Sequence, residues 1–503
     1  MLQCTVHKKH SCIDQNMTIH REGLNPAQKE AVLHQDGPIL VLAGAGAGKT
    51  KVLVSRIIEL IHNGVQPSSI LAITFTNKAA GEMRERVCST LEKSSSLNMP
   101  ITGSYYDKNT PFVSTFHSLG VYLLRNEGRH IGIPQSFKIY DRSDALSTIR
   151  ASMKKLGIST KEWSPNKIQS IISKQKGNNA SIEDFERDSQ NPVIERVITP
   201  VWRDYEVTLR KEKSLDFDDL LGKALLLLNN DEVRAKYQNM WKHIHVDEYQ
   251  DTNSLQYDIV MKLIGKERNI FAVGDPDQTI YSWRQADITN ILEFENDFPN
   301  SKTVLLEQNY RSTKTILRAA QDVIEKNTLR KEKTLFTENE DGKKISMIYG
   351  YDEADEANSI AGSIESLHKE GFPLKEIAIL YRTNFQSRAL EEAMIAHDIP
   401  YHVLGIRFLD RKEIKDMLAY LRLGIDPENV SDIRRVINVP RRGIGKVSLA
   451  KIVTGKTAEL SAKIRAEVTG FNTIVKAISE KINSTKPSEV MKFIYKTSGI
   501  KKD

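Results

Sequence analysis

Short apolar runs recur along the first part of the chain, each followed by apolar residues at helical spacing. Residues 39–43 read I-L-V-L-A, an unbroken run of the kind a strand needs when both its faces are buried. Beyond Lys51 the order V-L-V-S-R-I-I-E-L-I places apolar side chains three and four apart and predicts a helix. A second run, I-L-A-I-T-F at 70–75, precedes a helix predicted over 77–91. Strands alternating with amphipathic helices from about 24 to 104 predict a parallel sheet. Residues 94–110, rich in Ser, Asn, Thr, Gly and Tyr, read as a loop or domain crossing. From about 119 to 214 the pattern is mostly helical, with loops at 159–165 and 176–179. The strand signal returns at 243–247 (H-I-H-V-D) and 269–274 (N-I-F-A-V-G), so a helical insertion is predicted to split the first α/β domain.

A second α/β pattern begins near Pro299, with strands predicted at 303–306, 344–348 and 377–381 and a helix at 387–396. From about Pro400 the chain is mainly helical and basic. Its 503 residues allow roughly three or four domains. Charged residues make up 27% and apolar ones 40%, ordinary for a soluble globular chain. A net charge of +7 suits a nucleic-acid partner without demanding one, because charge must cluster to grip phosphates. No apolar run is long enough to span a membrane, and none at the N-terminus resembles a signal peptide. Three cysteines give no disulfide framework, so a reducing cytoplasm is expected. Cys4, His7, His10 and Cys12 lie close together, but their spacing matches no usual zinc finger and no apolar core follows. Residues 1–20 are therefore expected to be a disordered leader.

The most informative stretch is Ala43-Gly44-Ala45-Gly46-Ala47-Gly48-Lys49-Thr50, between the first strand and its helix. A glycine-rich strand-to-helix turn points backbone N–H groups inward, and the helix N-terminus adds partial positive charge, so the loop cradles phosphate. Lys49 would reach the β/γ-phosphates and the Thr50 hydroxyl would ligate Mg²⁺. Ala43 stands where the usual pattern has its first glycine, so the strand–loop–helix context carries the assignment. Such a loop alone fits kinases, transporters, GTPases and motors. Asp247 and Glu248, ending a later apolar strand, narrow the choice: Asp247 can hold Mg²⁺ and Glu248 can accept a proton from attacking water. Gln278, after the next strand, could sense the γ-phosphate. Arg311 could stabilise charge there, although alone it would read as a surface arginine.

Taken in order, these segments resemble the UvrD/PcrA/Rep group of superfamily 1 DNA helicases. The resemblance rests on L-N-P-A-Q (24–28), A-G-A-G-A-G-K-T (43–50), T-F-T-N-K-A-A-G-E-M (74–83) and S-T-F-H-S (114–118). It continues through L-D-F-D-D-L-L (215–221), V-D-E-Y-Q-D-T (246–252), V-G-D-P-D-Q-T-I-Y-S-W-R (273–284) and L-E-Q-N-Y-R-S (306–312). The implied fold is α/β: RecA-like parallel-sheet P-loop NTPase domains with helical insertions, the second RecA-like domain incomplete. The implied boundaries are 21–104 with 215–300 for the first domain and 105–214 for its insertion. The first part of the second domain would span 301–398, and a partial helical accessory domain 399–503.

The resemblance implies that Gln28 reads the adenine edge and Tyr310 stacks on the adenine. Lys49, Thr50, Asp247, Glu248, Gln278 and Arg311 would form the ATP phosphate and Mg²⁺ site. Lys51 replaces the family's usual arginine, so weaker stacking on the base is expected. DNA contacts are expected from Phe75, Thr76, Asn77, Thr115, His117, Phe217, Tyr281, Trp283 and Arg284, with Trp283 the leading base-stacker. For any one of these aromatics, core packing is the competing reading. Gly443 and Gly445, in V-P-R-R-G-I-G-K (439–446), resemble the family's duplex-contacting turn, against the plainer reading of a helix–helix turn. The implied activity is ATP-driven 3′-to-5′ movement on single-stranded DNA, with unwinding of 3′-tailed duplex in repair or replication alongside unidentified repair proteins. The family's later H-x-x-K-G-L-E segment and second arginine motif are not found in this sequence. Two expectations stand: a DNA helicase whose C-terminal part is missing from this sequence, or a truncated ATP- and DNA-binding remnant that cannot unwind; in either case these 503 residues alone are expected to lack efficient unwinding.

Overall fold

The computed structural model describes residues 19–94, 109–187, 193–282, 285–328, 330–403, 412–482 and 484–500. The chain forms two compact units, Met1–Ile345 and Ser346–Asp503. Among the described residues the first unit holds β1 (Ile39–Ala43), β2 (Ile70–Thr74), β3 (Phe112–Thr115), β4 (Lys138–Ile139), β5 (Ser214–Leu215), β6 (His243–Val246), β7 (Ile270–Gly274) and β8 (Lys302–Leu306). Six of them form one sheet in the order β3-β2-β6-β7-β1-β8. Every pairing in it is parallel, with Val41 opposite Val273 on one side and Val304 on the other.

The unbroken apolar runs follow from this placement. Successive strand side chains point to opposite faces, so a sheet covered on both sides needs both sets apolar. Leu40, Leu42, Leu71, Ile73, Ile244 and Val246 join one core with Phe116, Leu119, Leu220 and Ala224. Ile39, Val41, Ile70, Ala72, Phe271 and Val273 face the other way, onto Val52, Leu53 and Ile57 of the helix Lys49–His62. Each fully buried Leu, Ile or Val contributes roughly 1.5–3 kcal/mol, so these two layers fix the sheet.

β8 corrects an expectation. Its run was expected in a second sheet, but it pairs in parallel with β1 from Ile39↔Lys302 to Ala43↔Leu306 and forms an edge of the first. An apolar run records that a strand is buried, not which partner it takes.

The helical insertion enters and leaves beside the two-residue ladder of β4 and β5. Its own core gathers Ala145, Ile149, Met153, Ile168, Ile172, Val201, Trp202, Tyr205 and Leu209. The flanking helices Phe116–Glu127 and Phe217–Leu228 pack instead with the sheet core, so residues from 116 on already serve the first domain.

In the second unit, the helices Glu353–Lys369 and Ser387–Ala396 share a small core of Ala357, Ala361, Ile364, Ala393 and Met394. The helices Lys412–Ile425, Ala462–Ile482 and Pro487–Thr497 build another around Tyr420, Leu423, Phe471, Ile478 and Ile494. The strands expected at 344–348 and 377–381 do not form: neither segment is a strand among the described residues. A strand exists only with a ladder partner. Without one, Ile345, Met347 and Leu380 are 62%, 75% and 93% exposed.

Candidate nucleotide-binding site

In a parallel sheet all strands end at the same edge, and ligands collect there. The expected site segments follow this rule one by one. The phosphate loop follows β1, Phe75–Asn77 follow β2, and Thr115–His117 close β3. Asp247 and Glu248 follow β6, Asp275 and Gln278 follow β7, and Tyr310 and Arg311 follow β8.

The loop is shaped by its glycines and by what leans on it. Gly46 and Gly48 have φ of +70° and +87°, the left-handed region that L side chains rarely adopt. A Cβ on Gly46 would also stand 2.7 Å from Arg311 Cβ and 2.8 Å from Asn309 Nδ2. The segment after β8 grips the loop. The Gly44 N–H donates to the Leu306 carbonyl at 3.2 Å and the Tyr310 N–H to the Gly46 carbonyl at 3.0 Å. Asn309 Nδ2 donates to the Ala45 carbonyl at 2.6 Å. Ala47 is buried, whereas Ala45 and Thr50 are half-buried.

Lys49 is the hub. Its Nζ lies 2.8 Å from Glu248 Oε2 and donates to Gln278 Oε1 at 3.4 Å. Glu248 itself adopts φ +50°, a conformation that costs a non-glycine residue and marks a constrained position. Gln250, buried, ties it down: Nε2 donates to Glu248 Oε2 at 2.9 Å, while Oε1 accepts the Asp275 N–H at 2.9 Å. Asp275 Oδ2 in turn accepts from Gln278 Nε2 at 2.6 Å. Asp247 is buried, and burial, reinforced by the Glu248 charge, pushes its carboxyl up to about 7. Burial and the same Glu248 charge raise Asp251 to about 6. Asp247, Glu248 and Asp251 thus crowd together around Lys49. Hard oxygen donors at Asp247 and Thr50 suit Mg²⁺, and a divalent cation would relieve the crowding.

The residues expected on the adenine side are held by their neighbours. Gln28 is buried; its Oε1 accepts the Asn25 N–H at 3.1 Å and its Nε2 donates to the Ala47 carbonyl at 2.9 Å. Tyr310 is half exposed, its hydroxyl accepting from Asn25 Nδ2 at 2.9 Å. Lys51 Nζ donates to the Gly23 carbonyl at 2.7 Å. Arg311 is exposed beside Gly46.

The expected DNA-contact residues divide. Thr76 and Asn77 are exposed, Phe217 is 51% exposed, and the His117 ring stands 5.7 Å from that of Phe217. Phe75 is half-buried against the sheet core, edge-on to Phe116 at 5.8 Å. Thr115 is buried and caps the helix Phe116–Glu127 through the Ser118 N–H, so its hydroxyl serves the fold. Tyr281 is half-buried. Trp283 and Arg284 lie outside the described residues. In the second unit Gly443 has φ +70° with open space where a Cβ would stand, and Gly445 caps the helix Lys446–Val453. Arg442, beside this turn, points inward. Its guanidinium donates to the Ile437 carbonyl at 3.0 Å and the Tyr420 hydroxyl at 3.0 Å.

Sequence reasoning missed Gln250, Asn309 and Lys333 as site residues. The first two lie inside motifs quoted for other residues, whereas Lys333 carries no local signal.

A parallel sheet with a phosphate loop after β1 and acids after β6 defines a P-loop nucleotide-hydrolase architecture. Comparison with known proteins refines this. A family model described as the UvrD/REP helicase N-terminal domain matches residues 24–299, and one described as the UvrD-like helicase C-terminal domain matches 304–487. The chain belongs to the UvrD/REP helicase family. It is 47% identical over 436 residues to the ATP-dependent DNA helicase PcrA of Bacillus subtilis (strain 168), covering 86% of this chain and 57% of that protein. It is 44% identical to the PcrA of Staphylococcus epidermidis (strain ATCC 12228 / FDA PCI 1200), over 86% of this chain and 58% of the relative. For the PcrA of Staphylococcus aureus (strain Mu50 / ATCC 700699) the identity is 43%, over 85% and 57%. The chain thus spans somewhat over half the length of the curated relatives it matches.

Proposed function

We propose that this chain binds ATP with Mg²⁺ at the loop Ala43–Thr50 and couples its hydrolysis to movement along single-stranded DNA, as a helicase. The observation that carries the reading is the position of Lys49, within reach of both Glu248 and Gln278 at the edge where all six strands end. An arriving triphosphate competes for Lys49 and frees Glu248 to act as general base toward the attacking water. Asp247 and Thr50 would hold Mg²⁺, which supplies charge neutralisation at the phosphates. Gln278 reports the γ-phosphate, Arg311 stabilises its developing charge, and Gln28, Lys51 and Tyr310 frame the base.

DNA runs past the ends of β2 and β3, over Thr76, Asn77, His117 and Phe217, with Phe75 and Thr115 beneath them. An exposed aromatic ring at Phe217 beside the polar Thr76 and Asn77 suits strand binding without sequence preference. Tyr281, with Trp283 and Arg284, follows Gln278 directly in the chain, so loss of the γ-phosphate would move a base-stacking platform. The turn at Gly443 and Gly445 offers backbone amides to duplex phosphate. Family membership supports 3′-to-5′ polarity, 3′-tailed duplex as substrate, and a cytoplasmic role in repair or replication. No helix among the described residues is long and apolar enough to cross a membrane.

The reading is tested by Lys49→Ala. ATP turnover should fall at least ~100-fold, with single-stranded DNA affinity within roughly threefold of wild type. Turnover that survives the substitution would refute the site.

A further inference from the structure

Lys333 stands outside the short motifs on which the sequence resemblance rests, yet it is among the most buried lysines described. Its side chain is 3% exposed, with Nζ 2.5 Å from Asp275 Oδ1 and also paired with Asp277. The residues around it strap the segment across the nucleotide site. The Phe336 N–H donates to the Glu307 carbonyl at 3.1 Å, and the Asn309 N–H donates to the Phe336 carbonyl at 2.7 Å. Leu335 covers Gly44 so closely that a Cβ there would lie 2.2 Å from Leu335 Cδ2.

A buried ion pair of this kind is a poor means of stabilising a fold, because desolvation offsets most of the attraction. Two buried acids beside a triphosphate site are worse still unless a cation neutralises them. Their retention is explained by the second oxygen of Asp275. While Oδ1 is held by Lys333, Oδ2 accepts from Gln278 Nε2 at 2.6 Å, leaving Gln278 Oε1 turned toward Lys49 Nζ at 3.4 Å. The same aspartate donates its N–H to Gln250, which holds Glu248. Holding the Asp275 carboxylate therefore fixes Gln278 directly, while the main chain of the same residue supports Glu248 through Gln250.

We propose that Lys333 is a positioning residue for ATP hydrolysis: by clamping Asp275 and Asp277 it holds Gln278 aimed at Lys49 and the γ-phosphate. The inference rests on the nucleotide-site reading above. Lys333 touches no substrate; it sets the geometry in which Gln278 does.

The test is steady-state, DNA-stimulated ATP hydrolysis by the full chain carrying Lys333→Met, Gln278→Ala, or both, beside wild type and Lys49→Ala. Lys333→Met should lower kcat roughly 10- to 100-fold, as displacement of a positioned group does, while the KM for ATP stays within about threefold. The double variant should be no slower than Gln278→Ala alone, because one interaction cannot be lost twice. Should Lys333→Met fail to fold by circular dichroism, Lys333→Met/Asp277→Asn, which removes one buried negative charge with the lysine, takes its place with the same expectation. A folded variant that keeps wild-type kcat, or a double variant whose losses multiply, would overturn the proposal. Wild-type chain with no turnover sensitive to Lys49→Ala would instead remove the nucleotide-site reading, and this inference with it.

Discussion

Glu248 shows how the site spends conformational freedom at single residues. Its φ is +50°, and its carboxylate, bonded by Gln250 and paired with Lys49, is in the proposed reading a base kept quiet by the lysine that a phosphate would draw away. The loop uses glycine in the same sense at Gly46, where φ is +70° and a Cβ would press on Arg311 and Asn309. Gly46→Ala should therefore lower stability by about 1–2 kcal/mol from the backbone alone and weaken nucleotide binding further by displacing Arg311. Urea denaturation and fluorescent-nucleotide titration of the variant check both parts; an unchanged midpoint would contradict the strain argument. The phosphate loop was legible in sequence because its constraints are local: glycine where φ is positive, lysine and threonine where the helix starts. Lys333 was not, because its meaning comes from Asp275 and Asp277, more than fifty residues earlier in the chain.

At the scale of elements, the helix Lys49–His62 carries the phosphate-binding lysine at one end and an anchor near the other. Glu59 is buried there between Arg21 and His20, with Arg21 Nη2 2.7 Å from Oε1 and His20 Nε2 2.7 Å from Oε2. Burial alone would raise the Glu59 carboxyl; the Arg21 and His20 hydrogen bonds outweigh it and hold it down at about 2. A depressed carboxylate stabilises the fold above its unfolded value near 4.5, and that contribution is lost as pH falls toward 2. The wild-type chain should lose on the order of 2 kcal/mol through this residue between pH 5 and 2. Glu59→Gln should be less stable at pH 7 and should lose less stability over the same acid range. Parallel acid-induced denaturation curves for the two chains would contradict it. Elements were legible where their pattern is self-contained: the helix Ser387–Ala396 and the runs of β1, β2, β6 and β7 follow from spacing alone. Pairing is not self-contained. β8 looked like the start of a new sheet and proved to be an edge of the first, and 344–348 and 377–381 have strand composition without a strand's partner.

At the scale of the molecule, the first unit brings motifs scattered from residue 28 to 311 to one sheet edge. That convergence makes a nucleotide site out of segments that are individually weak signals. The exposed Thr76 and Asn77 follow β2 of the same sheet, so the proposed DNA path and the proposed ATP site share one frame. In the proposed function, hydrolysis at Lys49 and Glu248 answers to DNA. The most direct measurement is the ATP hydrolysis rate of the full chain with and without single-stranded oligonucleotide, for wild type and Glu248→Gln. Turnover should rise at least ~10-fold with DNA in the wild type, and the variant should still bind ATP but turn over at least ~100-fold more slowly. Hydrolysis indifferent to DNA, or undiminished in Glu248→Gln, would contradict it.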